Sequence, residues 1–193
     1  MTIVTPSRRA YEGFLFLALF AVSIPLANWL IGNVGTVCTP QGICLIPVAP
    51  GLMAPSGVVM VGLALVARDV VQRRLGLAWS VIAILIGGIL SWFVAPPALV
   101  IASVAAFVLS ELADLMVYTP LQRRGLVMAV VLSSVVGIVV DTLLFLSLAF
   151  GDLSFFWGQA VGKGWMVLAA IPFITWLRRR DERIGIEPLG VAQ

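Results

Sequence analysis

Two acidic residues inside an apolar stretch are the side chains of this sequence best suited to do chemistry. Glu111 and Asp114 lie three residues apart near the end of an apolar run that begins at Ala98. On a helix, this spacing projects both carboxylates from one face. Because acidic groups are costly at membrane depth, each one indicates a functional site, here a role in a polar cavity.

Asp141 and Lys163 form a second candidate site. Asp141 lies near the centre of a later apolar run, two turns after Ser134, and Lys163 lies between Gly162 and Gly164 near the start of the last run. Two interpretations stay open: the residues belong to a functional site, or they form a buried ion pair that holds two helices in register. The glycines would let a ligand or another backbone approach Lys163 closely.

Other polar residues have a structural and a functional interpretation. Asp69 follows Arg68 at the end of an apolar run, where a local ion pair near the membrane surface and a gating role are both consistent with the sequence. Asn28 is either a helix-packing amide or a ligand contact. Trp157 and Trp165 predict an interfacial belt, with a stacking platform for a flat ligand as the alternative.

The only two cysteines, Cys38 and Cys44, lie in one uncharged loop at residues 32–50. They form a disulfide if this loop faces an oxidising compartment, and are otherwise two free thiols. No metal site is predicted, because the sequence contains no histidine and two cysteines alone rarely hold a metal. No cofactor is expected either.

The composition is that of a helical membrane protein. Of the 193 residues, 61% are hydrophobic and 11% are charged, and the mean hydropathy is +1.12, whereas soluble domains carry about 25% charged residues. Recurring apolar runs of about 20 residues predict an all-α membrane protein with six transmembrane helices. The runs cover residues 14–31, 51–67, 77–94, 98–118, 126–150 and 156–177.

The arginines predict the orientation of these six spans. They precede the first run, follow the second, fourth and sixth runs, and are absent from the other loops. By the positive-inside rule, both termini are then cytoplasmic. We expect residues 1–13 to be a cytoplasmic N-terminus, residues 14–177 a transmembrane domain, and residues 178–193 a basic cytoplasmic tail that frays from Asp181.

Several function classes are disfavoured. The basic residues border the spans instead of forming a soluble basic face, so the net charge of +3 does not indicate nucleic-acid binding. No Gly-rich phosphate loop is present, so no ATPase domain is predicted. We expect no catalytic residue, because histidine is absent and the Gly-x-Gly-Asp signature of intramembrane aspartyl proteases is missing.

A set of short motifs, taken in order, is similar to a known transporter family. The motifs are Ala27-Asn28, the segment from Ala67-Arg68-Asp69 to Arg74-Leu75-Gly76, Ser110-Glu111-Leu112-Ala113-Asp114, Tyr118-Thr119-Pro120-Leu121, Ser133-Ser134, Asp141-Thr142-Leu143-Leu144-Phe145 and Lys163. Over about residues 14–180 the sequence resembles the queuosine-precursor transporter family, also called the vitamin uptake transporter family.

The resemblance implies a six-helix protein of the bacterial inner membrane that imports a 7-deazaguanine precursor of queuosine, such as 7-cyano-7-deazaguanine. Carboxylates would accept hydrogen bonds from the guanine-like edge, and a lysine or an amide would donate to its carbonyl. The expected substrate contacts are Asn28, Glu111, Asp114, Ser134, Asp141 and Lys163. Glu111 and Ser134 depart from the family, which often has Gln and Asn at these positions. A proton taken up by Asp141 or Glu111 would couple uptake to the proton gradient.

A second hypothesis keeps the architecture and changes the energy source. The chain would then capture another vitamin-like molecule for an ATP-driven complex, whose other subunits contact the arginine loops. Co-purification with an ATPase and a membrane partner would distinguish this hypothesis from import by the chain alone. Assembly into a homo-oligomer is compatible with both.

Overall fold

Six α-helices and one small sheet make up the part of the chain that the structure describes, residues 6–39 and 42–186 of a computed structural model. Residues 1–5 of the expected N-terminus and residues 187–193 of the expected tail lie outside these ranges. The helices are α1 (Pro6–Asn33), α2 (Val58–Leu75), α3 (Leu77–Val94), α4 (Val100–Leu121), α5 (Leu126–Ala149) and α6 (Phe156–Ile184), and the strands are β1 (Val37–Cys38), β2 (Cys44–Ala49) and β3 (Leu52–Pro55).

Five of these helices are long and apolar enough to cross a membrane: α1, α3, α4, α5 and α6. Their outward faces carry large apolar side chains; Phe93 is 78% exposed and Met116 is 70% exposed. Such faces are stable against lipid and unfavourable against water. The described helices are therefore those of a multi-pass membrane protein, as the composition predicts.

Helix α2 is the exception, because four of its eighteen residues are charged. It lies inside the bundle, in contact with each of the other five helices. Its side chains contribute to both apolar cores of the described residues, one shared with α4, α5 and α6 and one shared with α1 and α3. The surrounding helices keep lipid away from its charges, so a helix that is too polar to face lipid can be central here.

The second apolar run differs from the sequence prediction of a span at residues 51–67. Strand β3 occupies its first part, and α2 begins only at Val58 and continues to Leu75. Arg68 and Asp69 therefore lie well inside a helix and are fully buried, not at a span end near the membrane surface. The breakers Pro55 and Gly57 mark the transition from strand to helix.

The loop predicted at residues 32–50 contains most of an antiparallel sheet with strand order β1-β2-β3. Cys38 pairs directly with Cys44 across β1 and β2, and their sulfur atoms form a disulfide. Ser56 donates a hydrogen bond to the carbonyl of Leu30 at 2.7 Å, and the Trp165 indole donates to the carbonyl of Val48 at 2.9 Å. The sheet thus lies over one end of the bundle, opposite the chain termini.

The last helix is longer than predicted. The sequence interpretation ended the sixth span at residue 177 and expected fraying from Asp181, but α6 continues to Ile184. Gly185 ends the helix in the left-handed conformation with φ of +68°, a position that favours glycine. Asp181 is completely buried, and its ion pairs hold this last turn against α2. Helix α1 likewise begins before residue 14, at Pro6.

A glycine on α6 gives a test of how closely this helix packs on the sheet. A Cβ atom on Gly158 would lie 1.9 Å from the carbonyl oxygen of Met53, whereas a Cβ atom on Gly164 would meet nothing within 4 Å. We expect Gly158→Ala to lower the free energy of unfolding by about 1–3 kcal/mol through this backbone clash. Gly164→Ala, on the same helix, is the control and is expected to be neutral or slightly stabilising. Equal thermal unfolding of the two variants would contradict the packing.

Candidate ligand-binding cavity

A cavity of about 80 Å³ lies in the half of the bundle nearer the sheet. A single water molecule needs about 10–15 Å³ by this measure, so there is room for several waters or a small organic ligand. All six helices and the end of β3 contribute to its wall. The polar side chains in the wall are Ser23, Asn28, Ser91, Ser103, Ser110, Glu111, Asp141, Gln159 and Lys163.

Four of the six predicted substrate contacts line this cavity: Asn28, Glu111, Asp141 and Lys163. The Asn28 amide donates to the carbonyl of Ile24, one turn earlier, at 3.0 Å. Asn28 therefore makes a hydrogen bond within its own helix and also borders the cavity. The other two predicted contacts, Asp114 and Ser134, are fully buried but do not line it. They belong to the packing between helices behind the cavity wall.

The Lys163 ammonium is held by three acceptors. It donates to Asp141 Oδ2 at 2.5 Å, to Gln159 Oε1 at 2.7 Å and to Thr142 Oγ1 at 2.9 Å. An ammonium has three hydrogens, so these contacts satisfy all of them. Gly62 permits the close approach of α2, since a Cβ atom there would lie 2.5 Å from the Lys163 carbonyl oxygen. Asp141 and Lys163 therefore form the ion pair of the structural interpretation, and both also line the cavity; their functional role stays a prediction.

A second charged group, which we call the Arg68 cluster, lies between α2 and α4 and comprises Arg68, Asp69, Glu111 and Asp114. Arg68 Nε donates to Glu111 Oε2 at 3.1 Å, Nη1 lies 3.0 Å from Asp69 Oδ1, and Nη2 donates to Asp114 Oδ1. All four side chains are buried. Only Glu111 reaches both this cluster and the cavity.

Neighbouring polar groups hold the Arg68 cluster in place. Gln72 Oε1 accepts from Arg68 at 3.3 Å, and Gln72 Nε2 donates to Thr119 Oγ1 at 3.0 Å. The guanidinium carbon lies 5.7 Å from the centre of the Tyr118 ring, a cation–π distance. Gly137 of α5 packs directly on Asp114, because a Cβ atom there would lie 3.2 Å from Oδ2. The cluster is thus enclosed by three helices.

Sequence reasoning missed the aromatic part of the cavity. Trp157 and Trp165 are 68% and 55% exposed and do not line it, which fits an interfacial position better than a stacking platform. The rings that do line it are those of Phe107 and Phe145. Both could have been found from spacing, since Phe107 precedes Glu111 by four residues and Phe145 follows Asp141 by four. Residues one turn apart on a helix share a face.

Apolar helices around a polar cavity are an architecture suited to a membrane transporter, and a family comparison agrees with it. Residues 75–177, just over half of the chain, match the family described as "Putative vitamin uptake transporter". The chain belongs to this family. No curated protein and no solved structure shows significant similarity to it. The match confirms the resemblance to the vitamin uptake transporter family for the motifs within residues 75–177, and the family description points to membrane transport.

A third charged group holds the helices of this vitamin uptake transporter family member together at the end of the bundle that carries the termini. Asp181 accepts from Arg73 Nε at 2.7 Å and from Arg74 Nη1 and Nη2 at 2.9 and 2.7 Å. Glu12 accepts from Arg74 Nε at 3.0 Å and from Arg180. These ion pairs join α1, α2 and α6 and close the bundle at the end away from the cavity. The sequence contained no simple signal for them, because the partners are more than 60 residues apart.

Removing the Asp181 carboxylate is expected to weaken this end strongly. In Asp181→Asn, Arg73 and Arg74 lose a shared buried counter-charge, and breaking buried ion pairs from one side costs about 3–5 kcal/mol. Glu182→Gln is the matched control, because Glu182 is the next residue, is exposed, and pairs with Arg178, which is also exposed. Thermal unfolding in detergent should show a large decrease for Asp181→Asn and almost none for the control. A small decrease in Asp181→Asn would contradict the assigned ion pairs.

Proposed function

We propose that this chain imports a 7-deazaguanine precursor of queuosine, such as 7-cyano-7-deazaguanine, and binds it in the central cavity. The observation that supports this substrate best is the combination of side chains in one wall. Two carboxylates, a lysine and two amides surround a space that is also bordered by two phenylalanine rings. A flat, polar-edged heterocycle matches each of these features.

The carboxylates have acceptor capacity left for a ligand. Arg68 contacts Glu111 through Oε2, and Lys163 contacts Asp141 through Oδ2. Each carboxylate therefore keeps a second oxygen that could accept from the amino and ring N–H groups of a guanine-like edge. A carbonyl on the ligand would accept from the Asn28 or Gln159 amide, or from the Lys163 ammonium in exchange for one of its three present acceptors. Partial burial strengthens each of these hydrogen bonds.

The rings of Phe107 and Phe145 would hold the faces of the heterocycle. Aromatic pairs prefer offset-stacked or edge-to-face arrangements and add about 0.5–1.5 kcal/mol beyond the area they bury. Asn28 and Ile24 on α1 border the same space. The cavity thus offers polar contacts at the edge of a planar ligand and apolar contacts on its faces.

The arginine distribution supports the direction of transport. Apart from the buried Arg68, the described arginines lie at the end of the bundle that carries the termini, whereas the sheet and its connections contain no lysine or arginine. We therefore place both termini in the cytoplasm of a bacterial inner membrane, with six membrane-spanning helices in total. In this orientation the cavity lies in the outer half of the membrane, where it would receive a ligand from outside.

Ligand-dependent thermal stability tests the proposed substrate. A ligand at 100 times its Kd stabilises the folded state by about 2.7 kcal/mol, which raises the unfolding temperature measurably. We expect a shift with 7-cyano-7-deazaguanine and its aminomethyl analogue, a smaller one with guanine, and none with adenine. The shift should be lost in Asp141→Asn and kept in Asp152→Asn, which alters an exposed loop aspartate. A shift with a vitamin and none with the deazaguanines would overturn the substrate assignment.

A further inference from the structure

The Arg68 cluster contains more negative than positive charge. One guanidinium contacts the carboxylates of Asp69, Glu111 and Asp114, so the cluster carries a formal charge of −2 when all four groups are ionised. Arg68, Asp69 and Asp114 have no exposed side-chain surface at all. Uncompensated charge is costly in such a site, and buried acids ordinarily avoid this cost by binding a proton.

Two oxygen atoms show where a proton would fit. Asp69 Oδ1 and Asp114 Oδ2 are buried and accept no hydrogen bond from any described residue, although Asp69 Oδ1 is in ionic contact with Arg68. The carboxylates of Asp69 and Asp114 contact the two terminal nitrogens of the same guanidinium, Nη1 and Nη2 of Arg68, so the two side chains are neighbours and a hydrogen bond could join them. Two ionised carboxylates cannot form such a bond, because both are only acceptors. One proton on either oxygen turns the contact into an O–H···O hydrogen bond.

The groups around this pair do not supply a second positive charge. From α2 it is faced by Arg68, and from α4 by Glu111 and Tyr118, whose buried hydroxyl has no partner among the described residues. From α5 it is faced by Ser133, which donates to Asp69 Oδ2 at 3.4 Å, and by the backbone at Gly137. Asp141 lies farther along α5, and Lys163 of α6 is bound to it. Arg73 lies one turn beyond Asp69 on α2 and is held by Asp181.

We propose that Asp69 and Asp114 share one proton, and that this proton is the coupling ion of transport. It is bonded to one carboxylate oxygen and hydrogen-bonded to the other, so loading changes the formal charge of the Arg68 cluster from −2 to −1, and release restores −2. This replaces the sequence-based expectation that Asp141 or Glu111 takes up the proton. Asp141 already has Lys163 as its counter-charge, and Glu111 is the cluster member that reaches the cavity.

The cavity and the proton site are connected through Arg68. A ligand that donates to the second oxygen of Glu111 withdraws charge from the carboxylate that Arg68 Nε contacts, and the other nitrogens of this guanidinium contact the two aspartates. Ligand binding therefore changes how strongly the guanidinium compensates the aspartate pair, and the two equilibria are coupled reciprocally. The coupling role rests on the proposed import function, whereas the shared proton does not.

Infrared spectroscopy of the purified protein without ligand tests the shared proton. We expect a carbonyl band of a protonated, buried carboxyl group at pH 7, which shifts in heavy water. The band should be lost in Asp69→Asn and in Asp114→Asn, in which an amide N–H replaces the proton and preserves the hydrogen bond to the partner. It should remain in Asp152→Asn. Absence of the band, or its loss only in Glu111→Gln or Asp141→Asn, would overturn the proposal.

Uptake of 7-cyano-7-deazaguanine into proteoliposomes tests the coupling. With one proton per substrate, an inward gradient of one pH unit supports up to about tenfold accumulation. Asp69→Asn should bind the substrate but lose this dependence on the gradient. A requirement for sodium with no response to pH would overturn the coupling. If the infrared band is present but the substrate is not transported under any gradient, the proposed substrate fails while the proton site stands.

Discussion

Replacing Arg68 with methionine is expected to have the largest effect of any single substitution in this protein. The variant would leave Asp69, Glu111 and Asp114 buried together without a cation. Removing one partner of a buried ion pair costs about 3–5 kcal/mol, and three carboxylates lose their partner here. Since whole domains are stable by only about 5–15 kcal/mol, we expect little folded protein in the membrane.

The Arg68→Met prediction is checked by the yield of folded protein after size-exclusion chromatography and by thermal unfolding. Arg178→Met is the matched control, because Arg178 is half-exposed and pairs with an exposed glutamate one turn away. Exposed pairs of this kind contribute only about 0.3–0.5 kcal/mol. The stability of Arg68→Lys should lie between those of the two methionine variants, since one ammonium cannot replace a planar guanidinium that contacts three carboxylates. Equal stability of Arg68→Met and Arg178→Met would contradict the role assigned to the cluster.

Replacing Lys163 with methionine is expected to have the next largest effect, on both stability and binding. Lys163 is the only lysine of the chain, and its removal leaves Asp141 as a carboxylate with little exposure and no counter-charge. We expect a loss of about 3–5 kcal/mol in the free energy of unfolding. The thermal shift with 7-cyano-7-deazaguanine should also disappear, because the cavity loses a cationic donor.

A double substitution separates the ion pair from the binding site. In Lys163→Met with Asp141→Leu, no uncompensated charge remains, so we expect the double variant to be more stable than Lys163→Met alone. Ligand binding should nevertheless stay absent, since both polar contacts are gone. Denaturant unfolding of the two single variants and the double variant completes the cycle. A double variant whose losses simply add would show that the two side chains do not interact.

The membrane class and the family could be inferred from the sequence because they depend on composition and on local motifs. The length and hydropathy of five helices follow directly from apolar runs, and the order of the motifs pointed to the vitamin uptake transporter family that the family match confirms. The ion pair of Lys163 with Asp141 was also anticipated. Lys163 is the only lysine of the sequence, and Asp141 is an acid near the centre of the preceding apolar run.

The position of α2 could not be inferred in the same way. Hydropathy measures the preference of a segment for lipid, and the environment of α2 is other helices. From the sequence, the charges of α2 therefore indicated a position near the membrane surface, whereas packing against α1, α4 and α6 buries them. The contact of Arg68 with Asp114 joins residues 46 positions apart, and no local pattern encodes it.

Part of the cavity wall was within reach of sequence reasoning and was missed. Gln159 lies one turn before Lys163 and holds its ammonium, and the two phenylalanines have the same four-residue spacing from the cavity acids. The exclusion of Asp114 and Ser134 from the wall, by contrast, depends on the rotation of α4 and α5 about their axes. Glycines such as Gly137 set that rotation through close helix contacts, which a single sequence does not reveal.

Uptake by the purified chain alone is the most direct test of the central claim, that this protein by itself imports a 7-deazaguanine through the central cavity. Proteoliposomes that contain only this chain, with no ATP and no other protein, are given labelled 7-cyano-7-deazaguanine under an inward proton gradient. We expect accumulation that excess unlabelled compound abolishes, that adenine does not affect, and that is absent from Asp141→Asn vesicles. No uptake by the chain alone, with uptake restored by an added ATPase and membrane partner, would contradict the claim and identify a substrate-capture subunit.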